Sequence, residues 1–548
     1  MKHLRKFIII IIVMITGILA FQPEKDKNND FEIAKNLDIY YSLFRELDIF
    51  YVDPINPGKL VKTSIDKMLN TLDPYTVYIP ESKMEDYKFM TTGQYGGIGA
   101  IIRKKDSLLI IAEPYKGFPA QKNGLKAGDI LLEINGKSTK GYNIEQVSQL
   151  LKGDPGSQVE IKIKREYPKK KIFTTKFNRQ KIKINSVPYF GMLNKNTGYI
   201  KLTQFTAGAS ESVKQAILQL KEDDNPDCLI FDLRGNPGGL LIEAINVANI
   251  FISKGKTIVS TKGKVTSWNR EYKTPSEAID TSIRLVVLID KGSASASEIV
   301  AGAIQDLDRG VILGQRSYGK GLVQTTRDLS YNSKLKVTTA KYYIPSGRCI
   351  QALDYSHRNA DGSVGHIPDS LISEFKTSHN RSVYDGGGIL PDIIFKQPKY
   401  TTFITELILK NVIFDFATYF SGTIDFLPEP EQFTLSDTVI KSFARFLKKI
   451  NFSYNSETQM ALIDLEKIAK KEKYFDAIKE ELSHLHKELK DDMQKDIDKN
   501  KSDIKTLLEE EICSRFYYQT GRIRSFLTHD KEIKKAIEIV AGYYLILP

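Results

Sequence analysis

Two short apolar runs, each breaking into a glycine- or serine-rich loop and then a helix, constrain this chain more than any other feature. Cys228–Asp232 runs into Leu233-Arg-Gly-Asn-Pro-Gly-Gly239, with a helix predicted over residues 240–251. Residues 284–290 run into Lys291-Gly-Ser-Ala-Ser-Ala-Ser-Glu298, with a helix continuing through Ile304. Val311–Gly314 adds a third strand, and residues 335–344 alternate like a fourth. Strands alternating with helices between Gly198 and Ile350 predict an α/β layer structure. Active sites in open α/β sheets collect just beyond the carboxyl ends of strands. A serine there sits at the amino end of the next helix, where the dipole and free N–H groups favour developing negative charge. Ser295 meets that description, while Ser293 and Ser297 read as structural, a helix cap or a side chain turned into the loop.

Around this core the texture changes. Between Phe31 and Tyr87 the apolar positions Leu37, Tyr40, Tyr41, Phe44, Leu47 and Ile49 fall at helical steps. The break Asp53-Pro-Ile-Asn-Pro-Gly58 separates them from a second helix ending near Leu72-Asp-Pro74. From Thr91 the chain becomes β-rich: Tyr95-Gly-Gly-Ile-Gly99 leads into Ala100-Ile-Ile102, Leu108-Leu-Ile-Ile-Ala112 and Asp129-Ile-Leu-Leu-Glu-Ile134. The turn Asn135-Gly136, a helix over Ile144–Leu151 and a strand over 158–164 complete a module of roughly ninety residues, an ordinary size for a small domain. Past Lys396 the sequence turns Lys/Glu/Leu-rich and helical, and 504–545 reads as a helical hairpin. A solvent-exposed appendage or a dimerisation element is the expectation there.

A chain of 548 residues exceeds one ordinary core and implies three or four structural units. Its net charge of +12 is spread along the length, with no aromatic-interleaved basic stripe, so a nucleic-acid partner is not expected. Cys228, Cys349 and Cys513 form no metal-binding spacing and no disulfide framework. At the N-terminus, Lys2, Arg5 and Lys6 precede an apolar run over residues 7–21 that gives way to Gln22-Pro-Glu-Lys-Asp. This is the pattern of an export signal. It is short for a spanning helix, and both cleavage and retention as an anchor remain open.

A serine hydroxyl needs a base. The seven histidines, His3, His357, His366, His379, His484, His486 and His529, all lie outside the motif-dense stretch from Thr91 to Ile350. A triad is defined by geometry, so a distant histidine stays open. Lysine is the nearer solution: in Tyr318-Gly-Lys-Gly-Leu-Val-Gln324, Lys320 is flanked by glycines, and an extended chain puts Lys320, Leu322 and Gln324 on one face. Gln324 can then direct the amine. Oxyanion donors can come from the turn Gly235-Asn-Pro-Gly-Gly239 and from the N–H of Ala296.

With those residues in view, the chain resembles the carboxyl-terminal processing peptidases, or tail-specific proteases. Leu72-Asp-Pro-Tyr-Thr resembles the family's helical lead-in motif, and Gly93-Gln-Tyr-Gly-Gly-Ile-Gly99 the entry to its PDZ domain. Pro119-Ala-Gln-Lys-Asn-Gly-Leu-Lys-Ala-Gly-Asp-Ile-Leu-Leu-Glu-Ile-Asn-Gly136 is similar to the PDZ core. Asp232-Leu-Arg-Gly-Asn-Pro-Gly-Gly239, Ser293-Ala-Ser-Ala-Ser-Glu298 and Gly319-Lys-Gly-Leu-Val-Gln324 match its three catalytic blocks, and Gly388-Ile-Leu-Pro-Asp392 resembles the block that closes the core. Ser295 and Lys320 stand 25 residues apart and Lys320 and Gln324 four apart, as in the family.

The resemblance implies an α/β protease core of crotonase-like or ClpP-like architecture with an inserted PDZ domain, a helical N-terminal segment and a helical C-terminal extension. The corresponding divisions are 1–21 (signal peptide or anchor), 31–92 (helical segment), 93–180 (PDZ domain), 185–395 (peptidase core) and 398–548 (helical extension). It implies Ser295 as nucleophile, Lys320 as general base and Gln324 as its orienting partner, with the N–H groups of Gly239 and Ala296 as the oxyanion hole. Tyr95, Gly96, Gly97, Ile98 and Gly99 form the candidate loop for a client's terminal carboxylate. The implied partners are protein substrates with exposed C-terminal tails, and neither metal nor organic cofactor is expected. The implied setting is export to the periplasm, with residues 7–21 as a candidate tether to the inner membrane, and a homo-oligomer. The alternatives are a catalytically silent PDZ scaffold or chaperone of exported proteins, marked by loss of the Ser/Lys/Gln set, and a Ser-His-Asp hydrolase sensitive to His357→Ala. The segment after Lys396 departs from the minimal family pattern, although 515–521 and the helix beyond resemble the extension of Bacteroidetes-type members.

Overall fold

The computed structural model describes residues 27–359, 361–454, 456–488 and 493–542. The expected export signal at 1–21 lies outside the described residues. No helix among the described residues is long and apolar enough to cross a membrane. The chain divides into two compact units, residues 1–78 and 79–548.

In the first unit, helices α1 (Lys27–Phe50) and α2 (Pro57–Asn70) take the places that the periodicity predicts. The break between them starts α2: the Asn56 side chain accepts the Lys59 N–H at 2.9 Å, and Pro57 occupies the first turn, where its missing N–H costs nothing.

The second unit begins with α3 (Met84–Thr92), which leads into the β-rich module. Strand β1 (Gln94–Gly97) is followed by β2 (Ala100–Lys105), β3 (Leu108–Pro114), β4 (Ile130–Ile134), helix α4 (Ile144–Leu151), β5 (Gln158–Arg165), β6 (Lys171–Asn178) and β7 (Gln180–Lys183). The main sheet runs β2-β3-β4-β5-β6, all antiparallel, while β1 and β7 form a separate ribbon. Ile111, Ile134, Val147, Val159, Ile161 and Ile163 fill the space between sheet and α4. Buried Asp129, from the Gly-Leu-Lys-Ala-Gly-Asp run, takes two bonds from Arg165 at 2.7 and 2.6 Å and so ties the start of β4 to the end of β5.

The α/β layer follows. Its elements are β8 (Tyr189–Asn194), β9 (Thr197–Lys201), α5 (Ala209–Asp223), β10 (Cys228–Asp232), α6 (Leu241–Phe251), β11 (Thr257–Gly263), β12 (Arg270–Lys273), β13 (Arg284–Ile289), α7 (Ala296–Asp306) and β14 (Val311–Gly314), then β15 (Leu322–Asp328), β16 (Lys334–Tyr343) and β17 (Ile393–Ile394). One sheet runs β8-β9-β10-β13-β14-β17, parallel except for the β8–β9 pair. Its strands are apolar on both faces, as parallel strands between two helical layers must be. Leu229, Phe231, Leu285, Val287, Ile289 and Ile312 face α5, α6 and α7. Cys228, Ile230, Val286, Leu288, Val311 and Leu313 face the other way.

The alternating run at 335–344, expected as a fourth strand of this layer, is instead β16 of a second, antiparallel sheet with β11, β12 and β15. A five-residue connection closed by the Leu329 N–H on the Ser333 carbonyl joins β15 to β16. A link that short makes a hairpin, whereas a parallel strand needs a crossover of a dozen residues or more.

After β17 the chain is helical. Helices α8 (Thr402–Leu409), α9 (Val412–Ser421), α10 (Asp437–Lys449), α11 (Glu457–Glu472) and α12 (Lys479–Glu488) precede α13 (Lys501–His529), which is bent at Tyr518 (φ 59°), and α14 (Lys531–Ala541). The expectation of a solvent-exposed appendage fails for α13 and α14. Ile504, Leu508 and Ile512 of α13 join the core of α8, α9 and α10. Ile533, Ala536, Ile539 and Val540 of α14 cover the second face of the parallel sheet. Arg522 of α13 also reaches Glu113 of β3 at 3.0 Å. The segment is a structural layer, required because the strands it covers are apolar on that side too.

Helix α7 is buried along its entire length. Its far end is pinned by Arg348, 1% exposed, which donates to Gln305 at 2.7 Å, Asp306 at 2.8 Å and the Tyr384 carbonyl at 3.0 Å. Removing one partner of a buried ion pair leaves the other charge uncompensated. Arg348→Ala is therefore expected to lower the unfolding free energy by about 3–5 kcal/mol. The shift of the urea midpoint measures it, and a loss below about 1 kcal/mol would contradict this view of the pair.

Candidate active site

Strands β10 and β13 are hydrogen-bonded neighbours, so the loops that leave their carboxyl ends emerge side by side. They are laced together by backbone and small polar side chains. The carbonyl of Asn236 accepts from the Ala294 N–H at 3.0 Å and from the Ser297 hydroxyl at 2.8 Å. The Ser293 hydroxyl donates to the Leu233 carbonyl at 2.9 Å, and the Gly235 N–H to Asp290 at 2.8 Å. The fully buried Asn236 side chain closes its own turn: its amide donates to the Leu202 carbonyl at 2.9 Å and its oxygen accepts from the Gly238 N–H at 2.9 Å. Two glycines permit the approach. A Cβ on Gly238 (φ 96°) would stand 2.6 Å from the Ala294 oxygen and 2.9 Å from the Ala296 nitrogen, and one on Gly239 (φ 151°) would stand 2.3 Å from the Phe205 oxygen. A side chain at Gly238 would force this turn away from the serine loop, and one at Gly239 would force it away from the backbone at Phe205.

Ser295 is the residue before α7, at φ 55° and ψ −111°, a conformation that L-residues seldom adopt and that costs about 1–3 kcal/mol. What holds it there is Glu298, three residues on and completely buried. One carboxylate oxygen accepts the Ser295 N–H at 2.7 Å and the Lys320 N–H at 2.9 Å. The other accepts the Ser317 hydroxyl at 2.5 Å and the Gly319 N–H at 2.7 Å. Burial pushes the Glu298 carboxyl above its ordinary pKa, and these four donors pull against that shift. On the carbonyl side, the buried Tyr342 hydroxyl donates to the Lys320 carbonyl and lies 3.2 Å from that of Ser295. The serine loop and the lysine loop are thus bound to each other through one carboxylate and one phenol. The lysine loop is fixed in turn by the Ala352 N–H on the Gly319 carbonyl at 2.9 Å and by Gln351 accepting the Gly321 N–H at 2.8 Å.

The structure therefore brings Gly239, Ser295, Ala296 and Lys320 to one end of the parallel sheet. Ser295 and Lys320 are both partly exposed, and Gly239 is open. The N–H groups of Gly239 and Ala296 donate to no other group among the described residues. Gln324 lies on β15, where its amide nitrogen is 3.3 Å from both the Leu322 carbonyl and the Thr338 hydroxyl. His357 and His379 are exposed and pair with Asp354 at 2.8 Å and Asp308 at 3.1 Å. Tyr95, Gly96 and Gly97 belong to β1, laddered with β7, while Ile98 and Gly99 form the link into β2. The Gly96, Ile98 and Gly99 carbonyls accept from Gly153, Ala120 and Tyr115, whereas the N–H groups of Ile98 and Gly99 are uncommitted among the described residues. Sequence reasoning assigned no role to Glu298, Asn236 or Tyr342. Glu298 had a visible signal, a carboxylate three residues after a serine at a helix start; Tyr342 had none.

Three family models match separate stretches of the chain. The model of peptidase family S41 matches residues 196–356, that of a PDZ domain residues 110–165, and one described as "Probable PDZ-protease, C-terminal helical domain" residues 403–540. A carboxy-terminal-processing protease of Bartonella bacilliformis is 34% identical over 350 residues, 63% of this chain and 77% of that protein. A "Probable CtpA-like serine protease" of Staphylococcus aureus is 34% identical over 361 residues, 64% of this chain and 71% of that protein. Among solved structures, a photosystem II D1 C-terminal processing protease aligns with 65% of this chain and 86% of its own at 28% identity and a TM-score of 0.36.

The Glu298 carboxylate faces a donor at every bond, so an amide cannot replace it: in either orientation Glu298→Gln sets an NH2 against at least one backbone N–H. The variant is expected to lose about 1–3 kcal/mol of stability. Peptide-bond hydrolysis should fall about a hundredfold or more, because the reacting loops shift. Paired denaturation and turnover assays read the two effects, and wild-type turnover in the variant would refute the coupling.

Proposed function

The chain belongs to the carboxy-terminal-processing protease family, serine-type peptidases with a PDZ domain, and within it we propose an endopeptidase in which Ser295 is the nucleophile and Lys320 its general base. The observation that carries this reading is the Glu298 carboxylate, which takes the N–H of both residues and so commits two distant loops to one place.

Lys320, once unprotonated, takes the hydroxyl proton as Ser295 Oγ attacks the scissile carbonyl carbon. Negative charge passes to the carbonyl oxygen, for which the N–H groups of Gly239 and Ala296 are the available donors, at the positive end of α7. Collapse breaks the C–N bond, Lys320 returns the proton to the departing amine, and the acyl ester is left on Ser295. Water deprotonated by Lys320 then attacks the ester; the bond from the acyl carbon to Ser295 Oγ breaks, Lys320 returns the proton to Oγ, and the new carboxyl end is freed. Gln324, two positions beyond Leu322 on the same face of β15, keeps the lysine directed. No metal or cofactor takes part in this scheme.

The PDZ domain supplies the substrate. Strand β2 lies at the edge of its sheet beside α4, so an extended client tail can add to it as a further strand. The N–H groups of Ile98 and Gly99 then meet the terminal carboxylate, with Tyr95, Gly96 and Gly97 shaping the approach. The clients in this reading are exported proteins with exposed C-terminal tails. The enzyme itself is exported to the periplasm as a homo-oligomer, with residues 7–21 as signal or tether.

The test is cleavage of an unfolded model protein with an apolar C-terminal tail, followed by mass spectrometry, for the wild-type chain, Ser295→Ala and Lys320→Ala. Wild type is expected to cut, and both variants, folded, to lose about 10⁴-fold or more of the rate. Cleavage at the wild-type rate by Lys320→Ala would remove the lysine from its role and return a histidine to contention. A wild type that binds the tail and cuts nothing would favour a scaffold.

A further inference from the structure

The turn that ends at Gly239 starts at Arg234, and the guanidinium of Arg234 is held by three carboxylates. Asp232 takes two bonds, at 3.0 and 2.7 Å. Asp530 and Glu532, from the start of α14, accept at 2.7 and 3.0 Å. All four side chains are buried, and the Phe526 ring lies 5.5 Å from the guanidinium carbon. Asp232 precedes Arg234 by two residues and ties it to its own strand and, through Tyr199 and Lys201, to β9. Asp530 and Glu532 come from the layer on the opposite face of the sheet, and they join the turn to the body of the molecule.

We propose that Asp530 and Glu532 are positioning residues for the oxyanion turn: by gripping Arg234 they hold residues 234–239 at the height at which the Gly239 N–H can act together with that of Ala296. This rests on the Ser295–Lys320 reading. The bond pattern gives the grip its direction. The carbonyl of Arg234 is fixed by Lys201 at 2.7 Å and the Gly235 N–H by Asp290 at 2.8 Å, so a guanidinium pulled toward α14 sets the plane from which the turn rises. Asp530 also caps α14 with its other oxygen, accepting the Glu532 N–H at 2.8 Å, so the helix and the turn are registered by one side chain.

The grip is tunable. The groups around Glu532 are Arg234, Asp530, Asp232 with its partners Lys201 and Tyr199, and the backbone at Gly314. Burial first, and then Asp530 and Asp232, push the Glu532 carboxyl up to about 7 against the pull of Arg234. One of its oxygens, beside Gly314, has no hydrogen-bond partner among the described residues. Above that pH Glu532 is ionised and holds Arg234 as a charge; below it the carboxyl is neutral and the hold weakens.

The experiment compares the full chain with Glu532→Gln, Asp530→Asn and Ser295→Ala. Asp530→Asn keeps an oxygen for the helix cap while losing the ion pair. Turnover is followed between about pH 5.5 and pH 8, with binding of a peptide boronic acid, which forms a tetrahedral adduct on serine, and of the matching product peptide. At about pH 8 both clamp variants are expected to lose kcat about tenfold or more with KM within about twofold, and the boronate to weaken by the same factor while the product peptide does not. The Glu532→Gln defect should shrink toward pH 5.5, where wild-type Glu532 is neutral as well. Wild-type kcat at pH 8 in both variants, with Ser295→Ala silent, overturns the positioning role alone. So does an equal loss of kcat, product binding and melting temperature, which would make the pair a packing feature. Cleavage by Ser295→Ala overturns the catalytic reading and the brace with it.

Discussion

Four hydrogen bonds converge on the Glu298 carboxylate, and the geometry of the site depends on them. A buried carboxylate is tolerated only when its acceptor capacity is filled, and here Ser295, Ser317, Gly319 and Lys320 fill it. The same bonds offset the strain of Ser295 at positive φ, so the conformation that exposes the serine persists because the lysine loop is present. Position adds to the effect: Glu298 lies in the first turn of α7, where a negative charge is favoured. Asn236 does for the glycine turn what Glu298 does for the lysine loop, and the two anchors hold three segments distant in sequence around one serine.

The second constraint is the parallel sheet. Each central strand is apolar on both faces, so the sheet cannot stand with one helical layer. Helices α5, α6 and α7 cover one side and α14 the other. The C-terminal segment therefore completes the core, and the charged start of α14 falls next to the turn at the strand ends.

Most of the strand–loop–helix pattern was legible because it is local. Cys228–Asp232 and Val311–Gly314 are strands as read, and α6 and α7 begin where the glycine and serine loops end. Two readings failed for want of long-range information. Alternation at 335–344 marks a strand but not its sheet, and only the short link to β15 places it. The hairpin read over 504–545 includes α14, but its partner is strand residues up to about three hundred positions earlier; the Arg234–Asp530 bond spans 296 residues. Glu298 stood in plain view inside the serine motif, yet its bonds to Ser317, Gly319 and Lys320 cross a helix and a strand that no local pattern connects. Ser295, Lys320, Gly239 and Ala296 could be named from motif and family likeness, but what brings them together could not.

The central claim is that Ser295 is the nucleophile and that Lys320 activates it. The most direct measurement is covalent labelling of the full chain with a fluorophosphonate, with the adduct mapped by peptide mass spectrometry and its rate followed in wild type and Lys320→Ala. The account predicts a single adduct on Ser295, formed about a hundredfold or more slowly without the lysine. An adduct on another residue, or an undiminished rate in Lys320→Ala, would contradict it.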